Sequence, residues 1–223
     1  MLLALDTSTH TVGVALYDGT RVLSESVWIS PDYHTVELAP KVAEMLSKAG
    51  ITAVDLGAVA VAIGPGSFTG LRIGLALAKG LAFAHHLSLV GIPTLDILAA
   101  AQPIMDISLV AVLRAGRGRL AAGWYQKRRN TWQATGNIEL LSAEQLSDRI
   151  QNPTLVCGEF NEEEKRLLGR KRKNIILASP AHSLRRPAYL AELGWRRWQS
   201  GEVDNPATLS PFYLHSGEAI PGG

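Results

Sequence analysis

The spacing of apolar residues along the chain changes period several times, and each change marks an element. Leu2 to Asp6, Thr11 to Tyr17 and Arg21 to Trp28 read as paired strands, with Asp18-Gly19 as a hairpin turn between the last two. From His34 the period lengthens. Leu38, Val42, Met45 and Ala49 fall on one helical stripe, Pro40 sits in its first turns, and Gly50 stands where the helix stops. The apolar run Ala58 to Ile63 predicts a buried strand. A helix from Phe68 to His85, a strand from Leu87 to Val90 and a helix from Thr94 to Ala101 follow, so the first half reads β-β-β-α-β-α-β-α.

The second half begins in the same way. Ile107 to Leu113, Leu120 to Gln126 and Thr131 to Leu140 predict three strands, and Ser142 starts a helix. A strand at Thr154 to Cys157, a helix over Asn161 to Leu168, a strand over Asn174 to Ala178 and a helix over Ala181 to Trp198 complete the chain. Two halves that each open on a β-meander and continue with α/β units have the plan of the two-lobe α/β actin/hexokinase/Hsp70-like fold. Residues 1–104 are expected to form the N-terminal lobe, and 105–223 a smaller, more basic C-terminal lobe.

Between strand and helix lies Gly64-Pro65-Gly66-Ser67-Phe68-Thr69-Gly70-Leu71-Arg72-Ile73-Gly74. It is neither a Walker loop, which ends Gly-Lys-Ser/Thr, nor G-x-G-x-x-G, nor the G-x-S-x-G of an esterase elbow. Ser67 or Thr69 can cap the helix, whose first amides also suit an anion. Along that helix Gly70, Gly74, Ala78 and Ala82 recur every four residues, with Ala76, Gly80 and Ala84 beside them. Ridges this small let another helix approach closely, and a helix apolar nearly all round is either central to a core or covered by a second chain. A protein–protein surface is expected here.

With 223 residues, 47% of them hydrophobic, the chain can bury one large or two small cores. The apolar stretch at Leu71 to Ala84 carries Arg72 and Lys79 and is too short to span a bilayer, and the start lacks a signal peptide's basic region, so no membrane association and a cytoplasmic location are expected. Cys157, the single cysteine, sits in a strand and reads as a core residue. The net charge of +2 is unevenly placed. Residues 1–105 carry 5 basic and 8 acidic side chains, and the remainder 17 and 12. Arg114, Arg117, Arg119, Lys127, Arg128 and Arg129 form an acid-free stretch, and Lys165 to Lys173 a second cluster; such patches can track phosphates.

Catalytic chemistry is weakly marked. Asp6, Thr7 and Ser8 lie where a kinase of this fold would organise Mg²⁺ and phosphate, and they are the degenerate nucleotide-binding candidates. The six histidines form no metal set; His34-x-x-Glu37 alone has helical ligand spacing and lacks a third ligand. Neither a catalytic residue nor a metal ligand is assigned.

Ala4 to Thr9, His34 to Pro40, the Gly64 to Ala82 run, Leu89-Val90-Gly91-Ile92-Pro93 and the closing Pro211-Phe212-Tyr213-Leu214 together resemble the TsaB (YeaZ) family of tRNA threonylcarbamoyladenosine biosynthesis. The resemblance implies a noncatalytic relative of the transferase subunit TsaD. Such a chain would form a heterodimer with TsaD, or pair with its own copy, through the two N-lobe helices. The resemblance maps this surface to His34, Leu38, Val42, Met45, Leu71, Gly74, Leu75 and Ala78. It also implies TsaE as a further partner, tRNA met through the complex, and no cofactor of its own, nucleotide and metal being held by the partner subunits. The chain departs from the family at Arg114 to Ala121, where arginines stand in place of acids. The alternative is a small-molecule kinase or ATPase of the same fold; a protease would need a nucleophile–base pair that the sequence lacks.

Overall fold

The computed structural model describes residues 1–30, 34–171 and 173–214, and of His34 the backbone alone. In the first sheet, β1 (Leu2–Asp6) pairs antiparallel with β2 (Thr11–Tyr17) and parallel with β4 (Ala58–Gly64). β3 (Val22–Ile29) and β5 (Ser88–Pro93) extend it to the order β3-β2-β1-β4-β5. Both faces of β1 are dry, which explains its unbroken Leu-Leu-Ala-Leu. Over one face lie α1 (His34–Lys48) and α2 (Phe68–His85), which seat Leu38, Val42, Met45, Leu75 and Ala78 on Leu3, Leu5 and Val14.

The second sheet has the order β11-β10-β6-β7-β8, built from β6 (Ser108–Arg114), β7 (Leu120–Arg128), β8 (Thr131–Ala134), β10 (Thr154–Gly158) and β11 (Ile175–Leu177). The single strand expected over Thr131 to Leu140 is two: β8 pairs with the end of β7, and β9 (Glu139–Leu141) with its start. α4 (Ala143–Arg149) and α5 (Glu162–Leu168) cover one face through Leu146 and Leu168. α3 (Thr94–Ala100) covers the other through Leu95 and Leu98 and joins the lobes.

The last helix corrects the expected division at residue 104. α6 (Pro187–Gln199) packs across β1, β2, β4 and β5, against Leu2, Ala4, Ala15, Ala58 and Ala60, on the face of the first sheet opposite α1 and α2. It starts six residues later than Ala181, with Pro187 in the first turn, where a missing N–H costs nothing. Its contact face is small because Gly194 lies on Ala60. Beyond it, Asp204 N donates to Leu89 O (2.8 Å) and Phe212 N to Ile63 O (2.7 Å). The second lobe is therefore an insertion, and the first is made from both ends of the chain.

Candidate functional site

The two motifs that stand apart in sequence dock on one another. Thr7 Oγ1 donates to Gly70 O at 2.7 Å, Ser67 N donates to Ser8 O at 2.6 Å, and Ser67 Oγ caps α2 by accepting from Gly70 N at 3.2 Å. The glycines make this approach possible: a Cβ on Gly70 would stand 2.2 Å from Thr7 O. Gly64, at φ +114°, starts the turn in a conformation that glycine adopts without strain.

Asp6, at the end of β1, is 1% exposed. Its Oδ1 accepts from Ser8 N at 2.9 Å and from the Ser8 hydroxyl, and its Oδ2 accepts from Arg185 Nε at 3.0 Å. Arg185, just before α6, is 2% exposed and reaches across the lobes. Its guanidinium also donates to Glu159, which follows β10, to Thr9 Oγ1 and to Thr11 O. Thr9 passes the contact on, donating to Glu159 at 3.0 Å. Burial opposes the charge on Arg185, yet the attraction of Asp6 and Glu159 and their hydrogen bonds hold its pKa above the ordinary value. Asp6 thus has both oxygens engaged inside the protein, a poor fit to the metal-bound nucleotide that kinases of this fold hold at this loop.

Above this cluster a cleft of about 750 Å³ opens between the lobes. Ser8, Ser67, Phe68, Arg114, Glu159 and Tyr213 border it, whereas Asp6 and Thr7 do not reach it. The chain's closing stretch helps shape its rim: Arg72 Nε donates to Tyr213 Oη at 3.2 Å and lies 3.7 Å over the Phe68 ring, and Phe68 packs on Tyr213 with ring centres 5.0 Å apart. Burial pushes the Cys157 thiol up to about 12, which suits a core residue and not a nucleophile.

The residues expected to meet a partner point inward. Leu38, Val42, Met45, Leu71, Leu75 and Ala78 are buried in the chain's own core, and Gly74 lies against Thr7. The side chain of His34 lies outside the described residues. Outward, the same two helices present a different set: Val36 (64% exposed) with Ala39 and Ala43 on α1, and Ala76, Gly80 and Phe83 (63%) on α2. Of the two small-residue ridges, the sheet takes Gly70, Gly74, Ala78 and Ala82, and solvent takes Ala76, Gly80 and Ala84. Glu37 accepts from Trp28 Nε1 at 2.8 Å. Among the described residues no three of His, Cys, Asp and Glu come together as a metal site, and no helix is long and apolar enough to cross a membrane.

The fold also regroups the cations. Arg128, at the far end of β7, lies nine positions from Arg119, a distance of about 30 Å, with Arg129 just beyond it, and Lys127 at that end is held by Asp106 at 2.7 Å. Arg114, 3.9 Å from Glu164 of α5, instead shares a groove with Lys165, and Lys165 shares the next groove with Arg166 and Arg170.

A sequence model of the TsaD family, described as tRNA N6-adenosine threonylcarbamoyltransferase, matches residues 28–158. The tRNA threonylcarbamoyladenosine biosynthesis protein TsaB of Bacillus subtilis is 30% identical over 98% of this chain and 95% of its own length. The solved structure of YeaZ from Pseudomonas aeruginosa superposes with a TM-score of 0.76 at 28% identity, covering 95% of this chain and 99% of that one. The ROK hexokinase of Thermus thermophilus, at 11% identity and a TM-score of 0.50 over 90% and 99% of the two chains, shares the fold.

Proposed function

The chain belongs to the TsaB/YeaZ family, and on that premise we propose that it serves tRNA threonylcarbamoyladenosine biosynthesis as an accessory subunit, which binds a TsaD-type transferase and activates it. The observation that carries this reading is the outward face of α1 and α2. Two large apolar side chains, Val36 and Phe83, stand in water beside Ala39, Ala43, Ala76 and Gly80. Small residues there allow a partner's helices to approach to backbone distance, and the exposed apolar side chains supply the area that burial rewards. TsaE, as a further member, and a second copy of this chain on the same helices follow from the same reading. In it the subunit is noncatalytic and cofactor-free, nucleotide and metal being bound by its partners. The engagement of Asp6 by Arg185 supports that part.

Gly80→Arg and Phe83→Asp test the surface. Both sites are exposed, so the variants are expected to fold, to lose affinity for TsaD by at least tenfold, and to fail to support modification of tRNA. Folded variants with unchanged affinity would remove this face from the interface. ATP turnover by the isolated chain would favour the kinase alternative instead.

A further inference from the structure

We propose that Arg185 is the resident cation of a carboxylate site between the lobes, a fixed positive charge standing where the oxygens of Asp6 and Glu159 would otherwise call for a cation from solution. Asp6 comes from the first sheet and Glu159 from the end of the second, and the guanidinium lies between them. Without it, two carboxylates from facing lobes would approach one another, one of them deep in the protein. Asp6 cannot be resolvated there, since its side chain is 2% exposed, whereas that of Glu159 is 30% exposed. Such an arrangement needs a positive charge to stay closed.

The donor set left by removing the guanidinium is all oxygen: the two carboxylates with the hydroxyls of Ser8 and Thr9. Hard cations bind such oxygens. An arginine differs from a bound ion in two respects. It is present in every molecule, and its planar fork fixes direction, with Nε on Asp6, one terminal nitrogen on Glu159 and the other on Thr9 and Thr11. The lobes are therefore held together with no dependence on a nucleotide or a divalent ion. A groove lined by Arg185, Glu159 and Thr11, of about 220 Å³, gives small solutes a path to the position.

Replacing the side chain and returning a cation from solution tests this. Arg185→Ala is expected to lower Tm by about 10 °C, as loss of one partner of a buried ion pair does. Millimolar guanidinium, or Mg²⁺, should restore part of that loss in the variant, with no such gain in the parent chain or in Arg186→Ala, whose ion pair with Glu25 lies at the surface. Protection by neither cation would overturn the proposal. Should Arg185→Ala not fold, Asp6→Asn/Arg185→Met carries the test. Recovery of a folded, cooperative chain would support neutralisation of Asp6 as the role of Arg185, and a double variant no better than the single one would overturn it. Both readouts are independent of partner binding, so they stand or fall apart from the accessory-subunit reading.

Discussion

Gly74 and Thr7 are in contact so close that a Cβ on Gly74 would stand 2.2 Å from Thr7 Oγ1. Gly80, six residues further along α2, has nothing within 4 Å of the same construction. One substitution should therefore have opposite signs at two positions of one helix. Gly80→Ala removes backbone freedom from the unfolded chain and is expected to stabilise by about 0.5–1 kcal/mol. Gly74→Ala gains the same term but overpacks the core, and is expected to destabilise by about 1–3 kcal/mol net of it. Urea unfolding of the two variants decides; equal shifts would mean that the Thr7 contact is not tight.

Asp96 on α3 accepts from Tyr125 Oη at 2.7 Å, beneath the joint of the lobes. Burial raises its pKa, the hydrogen bond offsetting part of that rise. The folded chain thus binds this proton more tightly than the unfolded one, and stability falls as pH rises from the ordinary carboxylate value to the raised one. Above that window the whole cost is present. Asp96→Asn keeps an acceptor for Tyr125 and removes the charge, so its stability should exceed the parent's at neutral pH and converge with it in acid. Equal stability at neutral pH would sink this account.

The regrouped cations bear on tRNA. Arg119, Lys165, Arg166 and Arg170 are exposed or half-exposed and have no carboxylate within 4 Å among the described residues, unlike Lys127, Arg149 and Lys171. If this edge of the second lobe meets the phosphate backbone, changing three of these residues to Gln should flatten the dependence of log affinity on log salt by up to about 3 units. The same change at Lys127, Arg128 and Arg129 should leave it unaltered. Equal slopes in both triples would reduce the edge to a solvated surface. Binding to TsaD should be intact in either case, since α1 and α2 lie in the other lobe.

Much of the fold was legible because the apolar pattern is strong: the first meander, the first two strands of the second, α1, α2 and the strand before the glycine loop lie within a few residues of where periodicity puts them. The errors arose where one pattern serves two ends. A helix apolar nearly all round gives no sign of which ridge its own sheet will take, so Gly74 and Ala78 read as readily outward as inward. α6 gave no sign of crossing lobes, because Ala188, Leu190, Ala191 and Gly194 fit either sheet. Arg185 was invisible for a related reason. Nothing local distinguishes it from Arg186, yet the first is buried and the second faces solvent. Glu159 carried a faint signal, lying at the carboxyl end of a parallel strand, where ligands of open α/β sheets gather.

That the first lobe is assembled from both ends of the chain has a consequence for synthesis. A ribosome delivers β1 to β5 and their two outer helices early, but the face of Leu2, Ala4, Ala15, Ala58 and Ala60 stays wet until α6 emerges. The inserted lobe, continuous in sequence, has all its strands by Leu177 and can close first. A strict N-to-C order therefore cannot complete the first lobe before the second. The half-built first lobe waits, with one greasy face exposed, through the translation of everything between.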